Sequence, residues 1–126
     1  MTKLIIHNLW AVGMHHWGPR EVAVGAGYDL IEDALNPFDK NAIAVLDGPN
    51  KKAYLKRDCA VIVKFLFGLK ITQKWLLKPK ESPVNLSRRV GPQQRCSIGC
   101  ILRDDQKLNA ALRKLKDSCF PFEIKN

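Results

Sequence analysis

Apolar residues crowd the segment from 3 to 14, KLIIHNLWAVGM, and Gly13 punctuates its end, which predicts a first strand. After HHWGP the run EVAVGAGYDLIEDAL alternates, with Val22, Val24, Tyr28, Leu30 and Glu32 sharing one face; Gly25 and Gly27 predict a turn or a bulge within it. NPFD then reads as a turn, because Pro37 pre-sets the backbone and Asn36 can bond back to the chain. AIAVLD and KKAYLK follow as two strands of a hairpin joined by the four residues Asp47-Gly48-Pro49-Asn50.

At Asp58 the period changes from two to that of a helix. Asp58 is suited to cap a helix in which Val61, Ile62, Phe65 and Leu66 share a face, ending near Gly68. ITQKWLLKPK reads as a strand stopped by Pro79, ESPVNLSRRVGPQQ as a basic, turn-rich connector (about residues 78–95), and RCSIGCILR as a further strand. A last helix follows Asp104 and Asp105, with Leu108, Ala111, Leu112 and Leu115 on one face, and CFPFEI reads as a short closing strand. Many short strands, frequent turns and two helices predict an α+β fold, mainly β: a small curled barrel.

The 126 residues, 46% hydrophobic and 26% charged, suit one globular domain over 1–126 that needs neither disulfide nor metal to hold together. The N-terminus reads as a strand rather than a leader, and no apolar run approaches the roughly 18 residues of a spanning helix, so no membrane is expected. Four cysteines in apolar surroundings (Cys59, Cys96, Cys100 and Cys119) suggest reduced thiols and an intracellular setting, nuclear if the source is eukaryotic.

The net charge of +9 sharpens this picture, because it is unevenly spread. Residues 1–50 carry three Lys/Arg against six Asp/Glu, residues 51–103 thirteen against two, and residues 104–126 five against four. Such a concentration suits a polyanion partner, since each cation beside a phosphate releases a condensed counterion; a merely well-solvated face is the alternative.

Enzyme chemistry finds little support. Gly25 and Gly27 lack the third glycine and the helix of a dinucleotide loop, and the chain contains no G-x-x-x-x-G-K-[ST] phosphate loop. Cys96 and Cys100, with His15 and His16, raise a zinc site, but the pair falls in an apolar strand rather than on a knuckle. Nothing places a base beside a thiol, and a nuclease built on His15, His16 and Asp39 would lack a carboxylate cluster for metal ions. No cofactor, no metal and no catalytic residue are expected.

The string NPFDKNAIAV, followed across a hairpin by AYLKRDCAVIVKFLFG, closely resembles the centre of the HIRAN domain of Rad5-like and helicase-like-transcription-factor proteins. VGMHHWG resembles the family's first-strand motif, and KLNAALRKLKDSCFPFEI, more loosely, its closing helix and strand over 104–124. The match is strong over 3–68. It implies an OB-like barrel whose aromatic-lined, basic pocket holds the 3′ end of single-stranded DNA, as a non-catalytic module, monomeric, acting alone or beside a separate motor or repair protein.

Carried over residue by residue, the resemblance brings His16, Trp17 and Phe38 to the pocket as stacking faces, with core plugs as the alternative for Trp17 and Phe38. Tyr54 and Arg57 match positions that approach the terminal phosphates, and Lys40 and Lys56 are flanking cations. Asp39 is a turn-former that could also accept a hydrogen bond from a free 3′-hydroxyl. His15 and His16 stand where the family more often has Arg and Tyr, and Ala53 replaces a glycine. The expected function is recognition of single-stranded DNA at its 3′-hydroxyl end, with RNA binding or a basic protein-interaction face for an acidic partner as alternatives.

Overall fold

The structure, a computed structural model, describes residues 3–12, 26–33, 35–70, 75–81, 84–85, 92–102 and 107–125. Along the chain run β1 (Lys3–Val12), β2 (Tyr28–Glu32), β3 (Ile43–Asp47), β4 (Asn50–Leu55), α1 (Arg57–Gly68), β5 (Trp75–Pro79), β6 (Val84–Asn85), β7 (Pro92–Ile101), α2 (Leu108–Asp117) and β8 (Phe122–Lys125). The strands pair in the order β6-β7-β5-β2-β3-β4-β1-β8, and β7 also pairs with β1. That last pairing closes β7, β5, β2, β3, β4 and β1 into a six-stranded antiparallel barrel, with β6 and β8 added outside the ring.

Closure depends on a phase change in β1. Leu4 and Ile6 are fully buried, and so are Leu9 and Ala11, which an uninterrupted two-residue alternation would place on the opposite face. The register with β7 shifts between Ile6 and Leu9, where Asn8 takes φ +63°, so a bulge resets the pleat and bends the strand. Before the bend, Lys3–Ile6 pair with β8; after it, Ala11 and Val12 pair with β4.

Tyr28, Leu30, Ile43, Val45, Ala53, Leu55, Trp75, Leu77, Cys96, Ile98 and Cys100 join those β1 residues in one continuous core. Small Ala53, where the related motif has glycine, is fully buried within it. Ala111 and Leu115 of α2 are buried in the same core, and Leu108 and Leu112 pack against it, as the sequence pattern predicts. Cys119 ends α2 in the left-handed region at φ +62°, and Phe120 N–H reaches back to Leu115 C=O at 3.1 Å.

Several sequence expectations are corrected. The β3–β4 hairpin closes through two residues, not four: Asp47 pairs with Asn50, Gly48 takes φ +59° and the Pro49 ring keeps its own φ negative, as in a type II′ turn. Helix α1 starts at Arg57 with Lys56 as its N-cap, while Asp58 lies in the first turn and accepts Cys59 N–H at 2.9 Å. Its buried side is Cys59, Ala60, Ile62, Val63 and Leu66, whereas Val61 and Phe65 are 46% and 41% exposed. With apolar residues nearly all around the helix, periodicity could not choose the face; packing on the barrel did. The stretch read as a connector contains β6 and the start of β7, with Gln93 and Gln94 buried in the sheet, because Pro92 heads a strand instead of ending one. Val22, Val24 and Gly25 lie outside the described residues.

Ile98→Ala, at the fully buried centre of β7, is expected to cost about 2–5 kcal/mol, the usual range for truncating a core aliphatic side chain. Val61→Ala should stay within about 0.5 kcal/mol of the parent. Urea denaturation of both variants checks the face of α1 as well as the core.

Candidate nucleic-acid interface

Between β2 and β3 the chain makes a loop whose own side chains fold it. Asp33 N–H donates to Ala42 C=O at 2.8 Å and Ala42 N–H to Asp39 C=O at 3.1 Å, closing its base. Asn36 Oδ1 accepts two backbone N–H groups, from Phe38 at 2.9 Å and Asp39 at 3.1 Å, and Asp39 Oδ1 accepts Asn41 N–H at 2.9 Å. Asn and Asp at these positions hold a tight turn because their short side chains reach the backbone two or three residues on.

Helix α1 holds the same loop from outside. Arg57 Nη2 donates to Phe38 C=O at 3.2 Å and Lys64 Nζ to Lys40 C=O at 2.9 Å. Seven residues separate the two cations, close to two helical turns, so they lie along one side of α1. The backbone of Phe38 is thus bonded at both its N–H and its C=O, while the residue is 85% exposed. Phe38 is not a core plug. Its ring stands out on a fixed stem, beside Arg57, which among the described residues uses one of its five donors, on the loop.

Asp39 therefore has the turn-forming role expected of it through Oδ1, and among the described residues its Oδ2 makes no hydrogen bond. Lys40 and Lys56 are exposed. Phe38, Asp39, Lys40 and Arg57 are brought together at the tip of the loop and the start of α1, with Lys56 next to Arg57 in the chain. His15, His16 and Trp17 lie outside the described residues.

Tyr54 belongs to a second cluster at the base of the loop. Its hydroxyl donates to Asp33 Oδ2 at 2.6 Å, and Lys51 Nζ reaches Asp33 Oδ2 at 2.9 Å and the Tyr54 oxygen at 3.1 Å. The Tyr54 hydrogen bond first, then that from Lys51, hold the Asp33 carboxyl below its ordinary value, and the hydrogen bonds of Lys51 to Asp33 first and then to Tyr54 raise its ammonium. Asp33, Lys51 and Lys64 were not singled out in the sequence. Asp33 and Lys51 are eighteen residues apart, and only the antiparallel pairing of β2, β3 and β4 joins them.

Three of the four cysteines are closed off in the core, and Cys119 is exposed. Cys59, Cys96 and Cys100 are buried, and burial pushes each thiol up to about 12, the opposite of what a nucleophile or metal ligand requires. Cys96 and Cys100 face the barrel core from one strand, which explains their spacing as alternation.

No protein-family model matches the sequence, and no curated protein compared with it matches. Among solved structures, the HIRAN domain of human HLTF superposes with a TM-score of 0.71 at 19% sequence identity, covering 97% of this chain and 96% of that one. The chain has the fold of that domain over almost its whole length.

Asp33 supplies a pH test. Because its folded-state carboxyl sits below the ordinary 3.8, the ionised group stabilises the fold above that value, and this contribution is lost as the pH falls through the lower folded value. Asp33→Asn, which keeps an acceptor for Tyr54 but no charge, should be less stable than the parent at pH 7, and the gap should narrow as the pH falls below 3.8. Chemical denaturation across that range checks the convergence.

Proposed function

We propose that this chain is a non-catalytic DNA-binding module that grips single-stranded DNA at its 3′-hydroxyl end. The observation that carries the reading is Phe38, an aromatic ring 85% exposed on a loop whose backbone is held at both sides by hydrogen bonds. An exposed ring ordinarily loses freedom on binding; one on a prefixed backbone loses less, and base–aromatic stacking contributes roughly 1–3 kcal/mol. Arg57, Lys56 and Lys40 supply cations around it for phosphates, with Tyr54 at the loop base and His15, His16 and Trp17 as further contacts from the neighbouring motif. Likeness to the HIRAN domain of human HLTF supports a nucleic-acid role for this surface.

Asp39 gives the site its preference for an end. Inside a strand every 3′ oxygen is esterified, offers no proton and brings a phosphate that repels the carboxylate. A terminal 3′-hydroxyl can instead donate to Asp39 Oδ2, and hydrogen bonds to a charged acceptor are worth roughly 1.5–3 kcal/mol. The carboxylate penalises internal positions as much as it rewards ends.

Fluorescence anisotropy with labelled oligonucleotides tests each part. Affinity for single strands should exceed that for blunt duplex and fall with salt, each phosphate contact adding about −0.7 to the log–log slope. Phe38→Ala should weaken binding by about 1–3 kcal/mol without unfolding the domain. A 3′-phosphate should weaken binding to the parent about tenfold, a gap of ~1.4 kcal/mol, and Asp39→Ala should narrow it with little change in salt slope. Equal affinity for both ends would leave Asp39 a turn-former only, and tighter binding of RNA of the same sequence would reassign the polymer.

A further inference from the structure

On the outer face of the barrel, the strands β8, β1, β7 and β5 line an open groove of about 340 Å³ that shares no residue with the loop and α1 site. Lys3 and Lys125 stand on one side of it and Lys78 and Lys80 on the other, over a floor of Ile5, Leu76, Ser97, Gly99 and Ile101. Sheet register explains the grouping. Lys3 is directly opposite Lys125 on β8 and Ile101 on β7, Ile5 is opposite Gly99, and Gly99 and Ser97 are opposite Leu76 and Lys78 on β5.

The charged residues that line the groove are lysines. Lys3 and Lys125, directly opposed across a strand pair, repel, and Glu123, 3.8 Å from Lys125 Nζ, offsets part of that repulsion. Among the described residues no carboxylate lines the groove itself; Glu123 of β8, opposite Ile5, also bonds His7 Nε2 at 2.6 Å. Gly99 makes room for the Lys3 side chain, whose Cε would lie 3.3 Å from a Cβ there.

We infer that this groove is a second, sequence-independent binding surface for the phosphodiester backbone of nucleic acid. Lys78 on β5 and Lys80 just past its end, where the Lys80 N–H still donates to Arg95 C=O at 2.9 Å, are about 6.6 Å apart along the extended chain. That is close to the spacing of successive phosphates, and cations on both sides can follow a polyanion along the groove. Among the described residues the floor offers no aromatic face for a base, so contact is with sugar and phosphate, at internal positions of a strand. Here β1 and β7 are hydrogen-bonded on both sides, which leaves no backbone edge in the floor for an incoming peptide strand. The inference does not rest on end recognition, since it concerns phosphates that every strand carries.

The test compares a labelled 30-nucleotide single strand with a 6-nucleotide one bearing a free 3′-hydroxyl, using the full chain at several salt concentrations. Lys78 and Lys80 are exposed, so Lys78→Gln with Lys80→Gln should leave the fold intact. Expected is at least a fivefold loss of affinity for the 30-mer, a salt slope smaller by about 1.4, and binding of the 6-mer unchanged within twofold. Lys3→Gln with Lys125→Gln should behave alike. Unchanged 30-mer affinity, no 30-mer binding by the parent at low salt, or an equal loss for the 6-mer would overturn the assignment. So would a polyglutamate that binds the parent more tightly than the 30-mer and is lost in the same variants, which would assign the groove to an acidic protein. If the parent ignores the 6-mer while the lysine variants still weaken the 30-mer, end recognition falls and the groove stands.

Discussion

The pairing of β1 with β7 is the contact on which the architecture depends. Without it the strands would form an open twisted sheet, and the residues that now fill the interior would face solvent on one side. It is possible only because β1 changes phase at His7 and Asn8, so that both halves bury their apolar residues while the strand bends from β8 toward β4. The left-handed conformation at Asn8 suits a residue whose short amide tolerates it better than a branched side chain would.

From that closed barrel the two surfaces follow. Strand β4 leads into α1 through Lys56, whose N–H donates to Trp10 C=O of β1 at 2.8 Å, so the start of the helix is tied to the closing strand. One side of α1 enters the core, and another carries Arg57 and Lys64 to the carbonyls of the β2–β3 loop. The loop that presents Phe38 is therefore fixed by the barrel through the helix. The outer groove has a different origin: it is the solvent face of the same strands β1 and β7, whose alternation sends Lys3, Ile5, Ser97 and Gly99 outward as their neighbours go in. In both places cations gather by different means, helical periodicity in one and strand periodicity in the other.

Much of this was legible in the chain because it depends on short-range patterns. Alternation marked β1, β2, β3, β4 and β7; the 3.6-residue period marked α2; and Asn36-Pro37 with Asp39 marked a turn that the hydrogen bonds of Asn36 and Asp39 then reproduce. Phe38, set among polar turn residues, could be weighed as a surface ring, and its exposure removes the core alternative. Composition placed the excess charge in the middle of the chain, though not on any surface.

What the tertiary structure decided was everything that requires a choice among equal local options or a partner far along the chain. The face of α1 is one, since CAVIVKFLF offers apolar residues on every side and only contact with the barrel selects Cys59, Ala60, Ile62, Val63 and Leu66. The phase change in β1 is another, because a bulge matters only once a partner strand sets the register. The Asp33–Lys51–Tyr54 cluster and the lysine groove join residues from two, three or four strands, and their energies come from distances that no window of sequence contains. Local pattern determined which segments are strands, helices and turns; long-range pairing decided which of their side chains meet, because hydrogen-bond and Coulomb energies depend on separation in space rather than along the chain.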